Sequence, residues 1–215
     1  MVFIVNLTKP VILASGSPRR KELLSLAGFN FTVCPAKGEE VTTKTLPCDI
    51  VCELAHQKAF EIAKAQKAPC NVIGADTIVA FENRILGKPK DSEDAVRMVS
   101  MLQGSTHQVY TGVTLIEVCA DGSLREKSFY EETNVHVCQM TKDEIASYVA
   151  TGEPLDKAGA YGIQGTFSIY VSGIEGDYFN VVGLPISRLC HLADMHICLL
   201  VEAFFAKTAI SADFN

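Results

Sequence analysis

Ser15-Gly16-Ser17-Pro18-Arg19-Arg20 brings hydroxyls, a permissive backbone and two adjacent guanidinium groups together where an apolar run ends. A tight Ser/Gly turn leaving a strand and entering a helix presents unpaired backbone N–H groups, which suit an anion. Two arginines at a helix start oppose the helix dipole, which favours acids there. An anionic ligand would remove that conflict. On local features alone, a capped helix with two solvated arginines is an equal reading.

Asp76 is the second residue out of place. It interrupts Val72-Ile73-Gly74-Ala75 and Ile78-Val79-Ala80, a run that reads as a central strand. An ionised carboxylate there costs several kcal/mol unless it is paired or holds a metal. The competing reading is a strand-end aspartate capping a turn. Lys58 falls four residues from both Leu54 and Ile62, on the inward stripe of a helix. It could bury its stem and send its ammonium to water, or aim the charge into a cleft that holds phosphate. Lys88 and Lys90 lie in a loop between a strand and a helix, where ligand contacts are common but solvated lysines are commoner. Glu39 and Glu40 follow Gly38. A hard cation needs oxygen ligands, and either carboxylate could complete a site with Asp76. Gly159-Ala160-Tyr161-Gly162-Ile163-Gln164-Gly165 wraps permissive backbone around one long amide and matches neither the P-loop nor the dinucleotide fingerprint. The histidines show no ligand spacing, and His56 reads as a surface residue.

These residues need a scaffold that alternates strands and helices. Val11 to Ala14 reads as a short strand. Ser17 caps a helix with Pro18 at its first position, running to Gly28. Phe29 to Val33 is a strand, and a long helix covers Cys48 to Gln66 with Val51, Leu54, Ala55, Ile62 and Ala63 on one stripe. Asn71 to Phe81 is an apolar strand. Asp91 opens a helix ending near Gly104. Gln108 to Val118 and Ser128 to Val137 form a long hairpin through Asp121-Gly122. Thr141 to Glu144 is a capping box opening a helix to about Thr151. A strand near Phe167 to Val171 and a closing helix from Pro185 to Phe205 complete the expectation. The long hairpin favours a mixed α/β sheet flanked by helices over a purely parallel one. The glycine-rich return is expected to divide two lobes around a cleft within a single domain, residues 1–215.

The chain has 215 residues, 48% of them apolar and 20% charged, which suits a globular domain with a real core. A net charge of −6 argues against a nucleic-acid polymer as partner, though not against one nucleotide. Eight cysteines are scattered, mostly inside apolar runs, and read as reduced thiols acting as small hydrophobes. The apolar N-terminus lacks a basic leader, and the apolar stretch from Ile197 to Ala206 is too short to span a bilayer. The expectation is a cytoplasmic protein with no membrane partner.

Taken together, Ser15 to Arg20, Gly74-Ala75-Asp76-Thr77, Lys88-Pro89, Gly152 to Gly159, Tyr161 to Gly165 and Val181-Val182-Gly183-Leu184-Pro185 closely resemble the Maf family, in family order over about residues 10 to 195. The chain is also similar to the Maf portion of a human methyltransferase-like fusion protein. The resemblance implies a mixed α/β fold shared with inosine triphosphate pyrophosphatases, usually as a homodimer. It also implies Mg²⁺- or Mn²⁺-assisted attack of water on the α-phosphate of a nucleoside triphosphate, releasing pyrophosphate.

Residue by residue, the resemblance makes Asp76 the catalytic carboxylate that activates water or holds the metal. It gives Glu40 as the second metal carboxylate, with Glu39 as rival, and Ser15, Arg20, Lys58 and Lys88 as the phosphate-binding set. Arg19, Thr77 and Gln164 resemble the selector residues of the branch acting on dTTP and UTP. The chain departs from the family after Gln164, where many members continue Gly-Leu-Gly-Gly and this one has Gly165-Thr166-Phe167-Ser168. A pyrophosphatase of another base class, and a nucleotide-binding regulator of cell division with little catalysis, are the alternatives to a dTTP/UTP pyrophosphatase.

Overall fold

The computed structural model describes residues 9–82 and 84–192. Its elements run β1 (Val11–Leu13), α1 (Pro18–Leu26), β2 (Phe31–Val33), α2 (Pro47–Lys64), β3 (Cys70–Phe81), β4 (Arg84–Leu86), α3 (Ser92–Leu102), β5 (Thr106–Val118), β6 (Leu124–Val137), α4 (Lys142–Ala150), β7 (Val171–Glu175) and α5 (Tyr178–Val182). Three 3-10 turns, Glu153–Asp156, Ala158–Ala160 and Thr166–Tyr170, occupy the return between α4 and β7. The strands form one mixed sheet in the order β2-β1-β3-β5-β6-β7, with β4 also on β3. The mixed α/β architecture read from the long hairpin is therefore the observed one.

β3 organises the molecule. One of its edges pairs along most of its length with β5, antiparallel, from Cys70 to Ala80. The other edge is shared: parallel β1 takes Asn71 to Ile73, and antiparallel β4 takes Val79 to Phe81. Between them, residues 74–78 have no strand partner on that edge among the described residues. The sheet opens beside Asp76, where β1 ends and the chain turns into α1. Such a break, at the carboxyl end of a parallel strand, is where open α/β sheets take ligands.

Helix α2 lies against one face, with Ile50, Val51 and Leu54 packed on Ile78, and Ala59, Ile62 and Ala63 on Val72 and Ile116. The contact is close because two strand positions have no side chain. A Cβ on Gly74 would meet the Ala59 amide nitrogen at 2.7 Å, and one on Gly112 the Cys52 nitrogen at 2.7 Å. The opposite face carries two separate cores. Leu23 and Leu24 of α1 cover Ile73, Ala75 and Val113 with Val182 and Leu184, while α3, α4 and Phe167 cover Val79, Val109 and Val135. A cleft separates these two cores.

Several sequence expectations change. The segment from Phe167 is a 3-10 turn and the strand starts only at Val171, because Phe167 is pulled into a cluster of tyrosines. The short β4 and α5 were not anticipated. The expected closing helix is seen over 186–192, and its continuation lies outside the described residues, as do the apolar N-terminal stretch and the stretch from Ile197. Of the seven described cysteines, all free thiols, only Cys70 is buried; Cys34 and Cys138 are exposed, so an apolar neighbourhood in sequence was a poor guide to burial. No helix among the described residues is long and apolar enough to cross a membrane.

Candidate active site

The cleft is about 470 Å³ and is lined by nine of the residues singled out from sequence: Ser15, Arg19, Arg20, Glu40, Lys58, Asp76, Thr77, Lys88 and Gln164. Asp76 and Thr77 project to opposite faces of β3. Both can reach the cleft because the strand edge is open there.

On the α2 face, Asp76 is 8% exposed and its Oδ1 accepts a 2.6 Å hydrogen bond from Lys58 Nζ. The same ammonium lies 3.0 Å from Glu40 Oε1. Lys58 therefore sits where two carboxylates converge, and it offsets the cost of an unpaired buried charge. Asp76 Oδ2 has no protein partner among the described residues. Glu39 does not line the cleft.

Glu40 is carried by an irregular segment that α2 holds through a ladder of side chains four residues apart. Glu61 accepts from the amides of Lys37 and Gly38, each at 2.9 Å. Gln57 binds both the amide and the carbonyl of Val41, and Glu53 accepts from the Thr42 hydroxyl. The two backbone bonds, from Lys37 and then Gly38, hold the Glu61 carboxyl below its ordinary pKa. These positioning residues were missed in the sequence, although a 53, 57, 61 spacing on one helix face was visible.

The other face holds the arginine. Ser17 caps α1, its side chain accepting from Arg20 N, as expected. Arg20 then folds back: Nε donates to Gly183 O at 2.9 Å, Nη1 to Ser15 Oγ at 3.0 Å and Nη2 to Thr77 Oγ1 at 3.1 Å. Burial lowers its pKa, opposed by the charge of Asp76; a guanidinium stays charged regardless. Arg20 ties β1, β3 and the turn after α5 together, and two of its five N–H groups remain for a ligand. Ser15 Oγ accepts from both Arg20 and the Ser17 amide, and its own O–H has no protein acceptor among the described residues.

Thr77 is oriented by elimination. Thr111 Oγ1 lies 3.0 Å from the carbonyl of Asn180, which can only accept, so Thr111 uses its hydrogen there. Thr77, 2.9 Å from Thr111 Oγ1, must donate to it. The resulting chain runs Arg20 to Thr77 to Thr111 to Asn180.

The remaining wall comes from the 3-10 turns. Asp156 and Lys157, within a motif quoted above but given no role there, line the cleft with Tyr161 and Gln164. A hydrogen bond from Lys157, and more weakly the charge of Arg19, keep the Asp156 carboxyl below its ordinary pKa. Arg19 thus faces Asp156 electrostatically across the cleft. Lys88 is exposed, without an ion pair among the described residues.

The set of groups suits a polyanion that arrives with a hard cation. Among the described residues Lys88 and Arg19 lack direct ion pairs, Ser15 keeps a hydroxyl to donate, and two carboxylates converge on a positive charge. No group of three or more His, Cys, Asp or Glu side chains clusters as a metal site among the described residues. A cation here would take two carboxylate ligands and complete its shell with water and ligand oxygens, the habit of Mg²⁺.

The Maf-like protein family matches residues 10–195. A dTTP/UTP pyrophosphatase from Agathobacter rectalis is 55% identical over 191 residues, 83% of this chain and 93% of that protein. Another dTTP/UTP pyrophosphatase, from Lachnoclostridium phytofermentans, is 52% identical over 179 residues, covering 83% and 91%. A solved HAM1 protein from Coxiella burnetii is 16% identical, with a TM-score of 0.42 over 71% of this chain and 86% of that one.

Proposed function

The chain belongs to the Maf-like family, and from that premise we propose that it hydrolyses dTTP and UTP to the nucleoside monophosphate and pyrophosphate. The observation that carries the reading is the convergence of Asp76, Lys58 and Glu40 at the open edge of β3. It stands beside a cleft already furnished with phosphate-binding groups.

The residues divide the work as follows. Ser15, Arg20 and Lys88 bind the triphosphate oxygens and offset the charge that gathers on the leaving pyrophosphate. Asp76 takes a proton from water through Oδ2 as the water oxygen bonds to the α-phosphorus. The bond from that phosphorus to the bridging oxygen breaks, and pyrophosphate leaves. Lys58 holds Asp76 turned toward the cleft through its 2.6 Å bond to Oδ1, and in the loaded site its ammonium also reaches phosphate. Glu40 and Asp76 would hold Mg²⁺ or Mn²⁺, which supplies Lewis-acid polarisation of the phosphate. Arg19, Thr77 and Gln164 face the base and choose it. A homodimer working in the cytoplasm belongs to the same reading.

A panel of nucleoside triphosphates, incubated with Mg²⁺ and then Mn²⁺ and resolved by chromatography, tests it. Monophosphate and pyrophosphate from dTTP and UTP are expected, with little turnover of GTP. Release of single phosphate, or turnover confined to purines, would refute it.

A further inference from the structure

We propose that Glu153 and Thr166 form a latch that positions Gln164 and thereby sets which base the cleft accepts. The proposal rests on the pyrimidine-triphosphate reading above and assigns roles to two residues outside the catalytic set.

Gln164 sits on a turn closed by the Gly165 amide on the Gly162 carbonyl, at 3.1 Å. It is exposed and lines the cleft, so its reach depends on how the ends of that turn are held. Glu153, in the first 3-10 turn after α4, holds them. Its Oε2 accepts twice from Thr166, from the amide at 2.8 Å and from the hydroxyl at 2.7 Å. Its Oε1 accepts from the Tyr148 hydroxyl at 3.3 Å, and its backbone oxygen accepts from Lys157 Nζ at 2.7 Å.

The turn is wound tightly on these groups. Any Cβ on Gly165 would overlap the Glu153 carboxylate, and one on Gly162 would meet Lys157 Cε at 2.8 Å. A side chain at either glycine flanking Ile163-Gln164 would have to push Glu153 or Lys157 out of its observed position. Just beyond Thr166, Phe167 is fully buried with its ring centroid 4.8 Å from that of Tyr161 and 5.0 Å from that of Tyr148. Tyr161 lines the cleft, so the turn is anchored on both sides of Gln164. Burial alone would raise the Glu153 pKa, but the two bonds from Thr166 and the charge of Lys157 outweigh it and hold the carboxyl below its ordinary value. The latch is thus a charged acceptor with two donors, the stronger kind of hydrogen bond.

The local sequence accounts for this arrangement. The segment reads Gly165-Thr166-Phe167-Ser168, and its first three positions each have a part in this. Leucine at the second position would keep the amide donor and lose the hydroxyl donor. Glycine at the third would remove the aromatic anchor.

The test compares Thr166→Val, Thr166→Ser and Glu153→Gln with the unaltered chain, by kinetics on dTTP, UTP and CTP and by hydrogen exchange of the amides from Gly162 to Thr166. Thr166→Val removes one charge-assisted bond and should reduce the preference for dTTP over CTP in kcat/KM by about tenfold, through KM more than kcat. Its amides over Gly162 to Thr166 should exchange faster. Thr166→Ser should restore both. Glu153→Gln should show the larger loss, with far-UV circular dichroism confirming that it folds.

Unchanged exchange in Thr166→Val and Glu153→Gln would overturn the latch. Faster exchange with unchanged base preference would overturn its role in selection. If the unaltered chain turns over no pyrimidine triphosphate, the functional reading fails, while the exchange data still decide the latch.

Discussion

The two walls of the cleft are built differently. One consists of β3 and α2, where Asp76 and Lys58 are fixed by strand register and by the glycine-mediated seating of a long helix. The other consists of 3-10 turns whose places are set by side-chain bonds and buried aromatic rings. Asp76, proposed above to accept the proton, is on the rigid wall, and Gln164 is on the latched one. Reaction chemistry tolerates little displacement, since a shift of about 1 Å can cost about a hundredfold in rate. Recognition can be retuned by altering a few side-chain bonds without disturbing the sheet.

The rigid wall gives the largest expected effect. Asp76→Asn keeps the shape and removes the base, and should lower kcat by about 10³-fold or more, with nucleotide binding retained in calorimetry. Full turnover in that variant would show that the division between the walls is misplaced.

The latched wall should instead reveal itself in stability. Phe167→Ala empties a fully buried aromatic site and should cost about 3–5 kcal/mol in urea unfolding. A loss below about 1 kcal/mol would mean that the ring does not anchor the wall.

His107 sharpens the same contrast through pH. It is fully buried, its Nε2 lies 2.7 Å from the Tyr161 hydroxyl, and burial followed by the charge of His136 pushes its pKa down to about 4. In the unfolded chain the group titrates at about 6.5. The unfolded state therefore binds a proton first as pH falls, so stability declines from about pH 6.5 to about pH 4 and is level below. The share owed to this group is on the order of 3 kcal/mol, and urea midpoints at pH 7.5 and 5 should differ less in His107→Gln than in the unaltered chain.

The smallest effect is predicted for the ladder holding Glu40. Gln57→Ala frees the Val41 backbone but leaves Glu53 and Glu61 in place. It should raise the Mg²⁺ concentration for half-maximal turnover by about threefold, as expected for the loss of one or two partly exposed hydrogen bonds. No change would detach the ladder from the carboxylate proposed to hold the metal.

Much of the rigid wall was legible in the sequence, because its signals are local and strong. Asp76 stood out by interrupting an apolar strand, and Ser17-Pro18 announced a helix start. The stripe containing Val51, Leu54 and Ala55 placed Lys58 on the inward side of α2. The latched wall was much less legible. Nothing local distinguishes a strand from a 3-10 turn at Phe167, since the outcome depends on rings contributed by Tyr148 and Tyr161. Arg20 was assigned to phosphate alone, whereas it also ties nearby Ser15 to Thr77 and Gly183, which lie far from it in the chain. The split edge of β3 was likewise invisible, because β1 and β4 pair with opposite ends of that strand along one edge.

That water attacks the α-phosphorus is decided by single-turnover hydrolysis of dTTP in ¹⁸O-labelled water with excess enzyme and Mg²⁺, the products being resolved by mass spectrometry. One ¹⁸O atom is expected in thymidine monophosphate and none in pyrophosphate. Label in pyrophosphate would place the attack on the β-phosphorus and contradict it.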